Sequence, residues 1–89
     1  MSGILFKQAD SFAETRIDDE VVLMDLANGD FFSICGSALE IWELIDGSRD
    51  RDAILAELCA RFAMPAAALV GDVDAFLSVL IDAGYVASA

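Results

Sequence analysis

The spacing of apolar residues changes from strand-like to helical part-way along this chain. Between Ser11 and Ile17, Phe12, Ala13, Thr15 and Ile17 alternate loosely with polar residues, which predicts a first strand. Asp18-Asp19-Glu20 reads as an acidic turn, and Val21-Val22-Leu23-Met24-Asp25-Leu26 is an apolar, β-branched run of strand type. Asn28-Gly29 is a strong hairpin signal, and Phe31-Phe32-Ser33-Ile34 supplies the returning strand. After Gly36 the period lengthens: Ala38, Leu39, Ile41, Trp42, Leu44 and Ile45 form a helical stripe that ends at Asp46-Gly47. Ser37 followed by Glu40 has capping-box spacing, which makes Ser37 the expected N-cap.

Gly47-Ser48-Arg49-Asp50 reads as a loop, and Ala53, Ile54, Leu55, Leu58, Cys59 and Phe62 then recur at helical spacing as a second helix. Met64-Pro65 stops it, and a third helix opens at Pro65 or Ala66, where proline is well tolerated. Its central stripe is Leu69, Val73, Phe76 and Leu80, with Val70, Leu77 and Ile81 on one flank and Val79 on the other. That apolar face is wider than a single core contact requires. Gly84 stops the helix, and Tyr85-Val86 suits a short extended ending. Met1 to Phe6 fits a frayed tail, a short strand or a segment ordered only by a partner. The order of elements predicts an α+β fold, a three-stranded antiparallel sheet followed by three helices that cover one of its faces.

Eighty-nine residues suit one small domain with a single core. A formal charge of −11, with five Lys or Arg and no His, makes binding to a polyanion unfavourable, so nucleic acid and anionic membrane are not expected partners. The chain is 57% apolar with a mean hydropathy of +0.58, high enough to predict that some apolar surface stays exposed. No apolar run approaches the roughly 20 residues that span a bilayer, and the N-terminus lacks the basic-then-apolar pattern of a signal peptide; a cytoplasmic location is expected. Cys35 and Cys59 have neither C-x-x-C spacing nor His companions, so both are expected to be partly buried, unreactive thiols.

Without His, a Gly-rich phosphate loop or clustered Cys, the sequence offers no catalytic residue, metal site or cofactor grip. Asp25, Asp30 and Asp46 lie beside turns, where Asp is expected to bond backbone, and Asp18-Asp19-Glu20 lacks the ligand spacing of a Ca²⁺ loop. Trp42 lies on the first helical stripe and is expected to be a packing residue. Phe31 and Phe32 must face opposite sides of their strand. If one enters the core, the other either packs in a second small cluster under the N-terminal segment or marks an edge strand beside an apolar groove. Such an edge accepts another strand by β-augmentation.

The run Val22-Leu23-Met24-Asp25-Leu26, then Asn28-Gly29-Asp30-Phe31-Phe32, Ser37-Ala38, Ile41-Trp42, Leu44 and Asp46-Gly47 resembles the PqqD-like family. Ile54, Leu58, Asp72-Val73, Phe76-Leu77 and Leu80 continue that resemblance, which extends from Phe6 to Val86. These proteins are the leader-peptide recognition elements of ribosomally made, post-translationally modified peptides. Where the pyrroloquinoline-quinone branch typically shows a Pro-Glu-Gly hairpin, this chain has Asp25-Leu26-Ala27-Asn28-Gly29 with the aromatic pair after it, which looks more like the stand-alone lasso-peptide B1 proteins and generic relatives.

The resemblance implies a winged-helix-like fold with no catalysis and no cofactor. It implies that the leader of a precursor peptide lies as an added strand on the third strand, in a cleft walled by the third helix. The bound peptide is then presented to a maturation enzyme, whether a protease, a cyclase or a radical enzyme. Carried onto this chain, the peptide-binding residues are Asp30, Phe31, Phe32, Ser33 and Ile34 on the strand, with Val70, Val73, Asp74 and Leu77 on the helix. Asp72, Asp74 and Asp82 make the third helix acidic, which argues against a DNA-reading winged helix.

Two other classes stay open. One is a protein-interaction or oligomerisation module whose apolar face pairs with itself as a homodimer. The other is a carrier protein, since Ser37-Ala38-Leu39-Glu40 on an acidic domain is similar to a phosphopantetheine attachment site. Carrier proteins, however, have Asp-Ser-Leu at that point of a helical bundle, whereas here Gly36 precedes the serine and strands precede both.

Overall fold

The computed structural model describes residues 3–89, so the expectation for Met1 and Ser2 lies outside the described residues. In chain order the elements are β1 (Leu5–Lys7), a 3₁₀ turn (Ala9–Ser11), β2 (Phe12–Ile17), β3 (Glu20–Asp25) and β4 (Phe31–Cys35). They continue with α1 (Ser37–Leu44), α2 (Arg51–Phe62), α3 (Ala66–Asp82) and β5 (Val86–Ser88). Strands β2, β3 and β4 form the expected antiparallel meander, and the three helices follow it in a winged-helix-like α+β arrangement.

A second, two-stranded sheet was not foreseen. β1 pairs with β5, Leu5 opposite Ser88 and Lys7 opposite Val86. The Leu5 N–H donates to the Arg49 carbonyl at 3.0 Å and the Gly47 N–H donates to the Leu5 carbonyl at 3.1 Å. Leu5 is fully buried. The segment after Gly3 is therefore a short strand held by the far end of the chain and by the α1–α2 loop.

Period-two alternation sorts the main sheet into two faces. Val21 and Leu23 stand opposite Ile34 and Phe32, and all four face the helices. Val22 and Met24 stand opposite Ser33 and Phe31 on the other face. The inner face closes over Ile41, Trp42 and Leu44 of α1, Leu58 of α2, and Val73, Leu77 and Leu80 of α3. Trp42 is 1% exposed and meets the edge of Phe12 at 5.5 Å between ring centroids, as expected of a packing residue. Phe12 in turn meets Tyr85 at 5.8 Å.

The entry to α1 corrects the expected capping box. Gly36 occupies the N-cap position at φ 62°, ψ −139°, and Ser37 is the first helical residue, with no side chain capping the end. The chain turns from strand to helix within one residue, and that backbone conformation is open to glycine but strained for any residue with a Cβ. Glu40 pairs with Arg61 of α2 at 2.8 Å instead. α2 has a side-chain cap, because the Asp50 carboxylate accepts from the Ala53 N–H at 2.8 Å.

The β3–β4 hairpin forms where Asn28-Gly29 predicts it, with residues 26–30 as the connection rather than a two-residue turn. The Asp25 carboxylate accepts from the Ala27 N–H at 2.8 Å, and the Gly29 N–H donates to the Asp25 carbonyl at 2.8 Å. Gly29 sits at φ 79°, in the left-handed region that glycine favours. The Tyr85 hydroxyl donates to the Asp25 carboxylate at 2.9 Å, so the hairpin is tied to the end of α3. Those bonds, from Ala27 first and Tyr85 second, hold the Asp25 carboxyl below the usual carboxylate range. Among the described residues no helix is long and apolar enough to cross a membrane.

Candidate peptide-binding site

β4 pairs with β3 on one side and, among the described residues, with no strand on the other. The direction of its free backbone groups follows from the register. The Asp25 N–H donates to the Asp30 carbonyl at 2.7 Å, which makes that pair a hydrogen-bonded one. Bonded and non-bonded pairs alternate along an antiparallel ladder, so Leu23–Phe32 and Val21–Ile34 are bonded while Met24–Phe31 and Val22–Ser33 are not. The N–H and C=O of Phe31 and Ser33 thus point to the open edge. A strand with such free groups is a template for another strand.

Side chains alternate with the same period. Ile34 is 1% exposed, and Phe32 is half-buried with its ring 6.1 Å from that of Tyr85. Phe31 is 73% exposed, and Ser33 and Cys35 are exposed beside it. Cys35 was expected to be partly buried; its place on the outer face of β4 leaves it accessible, while Cys59 is half-buried. Asp30 lies exposed in the hairpin connection just before β4.

Where β4 ends, Ser37, Ala38 and Ile41 of α1 face Asp72, Ala75, Phe76 and Val79 of α3 across an open, mainly apolar groove. The four α3 residues are spaced i, i+3, i+4, i+7 and share one helical face. Phe76 is half-buried, and Val79 remains 47% exposed.

This is not the flank of α3 that was expected to form the wall. Val73 and Leu77 are 1% and 0% exposed and belong to the core, and half-buried Val70 packs against that core. Asp74 is taken by Arg51 at the start of α2, Nε to Oδ1 and Nη2 to Oδ2, both at 2.8 Å. The guanidinium holds the Asp74 carboxyl below the usual carboxylate range. None of these four lines the groove. The sequence does not bring Asp72, Ala75, Phe76 and Val79 together with Ser37, Ala38 and Ile41, although Val79 stands apart in it as the lone apolar residue on its flank.

The cations lie elsewhere. The Lys7 Nζ is 4.4 Å from the Trp42 ring centroid, and Arg16 pairs with Glu43. Arg49 pairs with Asp46, Arg51 with Asp52 and Asp74, and Arg61 with Glu40 and Glu57. None of them lines the groove, whose one charged member is Asp72.

Residues 20–86 match the family described as Coenzyme PQQ synthesis protein D (PqqD). The chain belongs to the PqqD family. The PqqD match runs from the first residue of β3 to the first of β5 and so contains the open strand edge and every residue of the α1–α3 groove. Among solved structures, that of TbiB1 in complex with the TbiA(beta) leader peptide is similar to this PqqD-family chain. The TM-score is 0.78 at 27% identity, over 91% of this chain and 94% of that one. No curated protein matches the chain.

Proposed function

We propose that this chain is a leader-peptide recognition module. It binds the leader segment of a ribosomally made, later modified precursor peptide and presents that precursor to a maturation enzyme. The observation that carries this reading is the open edge of β4, with the α1–α3 groove beginning just past its last residue, in a PqqD-family fold similar over 91% of its length to leader-bound TbiB1. The main chain of Phe31 and Ser33 offers the bonds for an added strand, and the groove offers subsites for its side chains. Backbone bonding supplies grip that depends little on sequence, and the subsites supply selectivity.

The role is that of a non-catalytic peptide chaperone; the protease, cyclase or radical enzyme that modifies the precursor is a separate partner. The chain acts as one module, and its place of action is the cytoplasm, where precursor peptides leave the ribosome. Titration of the labelled precursor in two halves tests the reading. Saturable binding of the leader half, with no binding of the core half or of a scrambled leader, is expected. Equal binding of all three would refute it.

A further inference from the structure

We infer that the α1–α3 groove selects leaders carrying a Lys or Arg next to their apolar anchor residues, and that the Asp72 carboxylate is the group that reads this charge. The inference rests on the leader-binding reading above. Ala38, Ile41, Ala75, Phe76 and Val79 give the groove an apolar lining suited to aliphatic or aromatic side chains. Asp72 is exposed on its wall, and among the described residues no Lys or Arg pairs with it.

The Lys and Arg side chains are engaged elsewhere, by Glu40, Glu43, Asp46, Asp52, Glu57 and Asp74, with Lys7 held over Trp42. A leader carboxylate entering the groove therefore meets the negative charge of Asp72 and, among the described residues, no cationic side chain. A leader ammonium or guanidinium meets a carboxylate with no competing partner, next to apolar walls that weaken screening by water. One opposing influence exists. α1 starts at the groove and Gly36 gives it no side-chain cap, so its N-terminal amides present a positive end. That end is equivalent to about half an elementary charge, against a full negative charge on Asp72. The carboxylate prevails, and the net charge of −11 over the chain acts in the same direction.

A displayed library of random peptides of about 12 residues, long enough to add as a strand, is selected on the full chain and on its Asp72→Lys variant. The wild-type chain should enrich peptides with a shared apolar pattern and a Lys or Arg at one fixed position beside it. The Asp72→Lys chain should keep the apolar pattern and exchange that residue for Asp or Glu. In synthetic copies of the most enriched peptide, changing the cation to Gln should weaken binding to wild type roughly threefold to tenfold and leave binding to Asp72→Asn unchanged. Both variants should melt with the wild type, because Asp72 is exposed and unpaired among the described residues. Apolar enrichment without a charge preference, or with Asp or Glu preferred on the wild-type chain, overturns the role of Asp72 and leaves leader binding standing. No enrichment on any chain overturns both.

Discussion

Arg51, the first residue of α2, holds Asp74 of α3 through two parallel bonds of 2.8 Å, Nε to Oδ1 and Nη2 to Oδ2. Such a fork fixes direction as well as distance. It ties the Asp74 flank of α3 to the start of α2, while buried Val73, Leu77 and Leu80 seat the helix on the core and Asp72 and Val79 line the groove. Asp74→Asn should therefore lower the melting temperature at neutral pH without changing leader affinity well below the transition. The sign with pH follows from the depressed carboxyl pKa. The stabilisation is present above the ordinary carboxylate value and is lost as pH falls through the depressed one. Melts of wild type and variant should differ at pH 7 and converge as the pH falls through the depressed carboxyl pKa.

Phe31 and Phe32 should respond in different ways to the same truncation. Phe32 packs on Tyr85 inside the sheet, so Phe32→Ala should cost about 1–3 kcal/mol, below the range for a fully buried ring. Phe31 is 73% exposed, and Phe31→Ala should change stability by no more than about 0.5 kcal/mol. Its loss should instead weaken leader binding, because its side chain lies beside the free edge proposed to take the leader. Urea melts and leader titrations of both variants check this pair of outcomes.

Trp42 is 1% exposed and packs against Phe12, so Trp42→Ala should destabilise the fold by about 3–5 kcal/mol. Leader binding should fall in step with the folded fraction. Refolding the variant with a stabilising osmolyte should bring binding back.

Val79→Ser probes the groove wall itself. With 47% of Val79 exposed and the residue lining the groove, the melting temperature should stay nearly unchanged while leader affinity drops several-fold. The same substitution at Val73 should unfold the domain, because Val73 is 1% exposed.

The strand and helix periods were enough to place β2 to β4 and the three helices, because one buried face per element leaves a regular trace in the sequence. The β1–β5 pair left none: three-residue strands have no period to read, and their partners lie at opposite ends of the chain. On β4 the two faces were legible, since alternation alone separates exposed Phe31 from half-buried Phe32. The open face of α3 was not. α3 is apolar over a wide arc, and periodicity cannot tell which flank packs on α2 and which stays open. That choice is a matter of tertiary packing, with Val73, Leu77 and Leu80 taken into the core and Arg51 reaching Asp74 from 23 positions away. Ser37 and Glu40 show the same limit, since a capping-box spacing yields when Gly36 takes the cap position and Arg61 takes the glutamate.

Strand addition at β4 is tested most directly by amide hydrogen exchange, residue by residue, with and without the leader peptide. Phe32 and Ile34 are already bonded to β3 and should be protected in both states. Phe31 and Ser33, whose N–H groups face the open edge, should exchange fast in the free protein and become protected when the leader binds. Saturable leader binding that leaves the Phe31 and Ser33 amides exchanging as before would contradict strand addition at this edge.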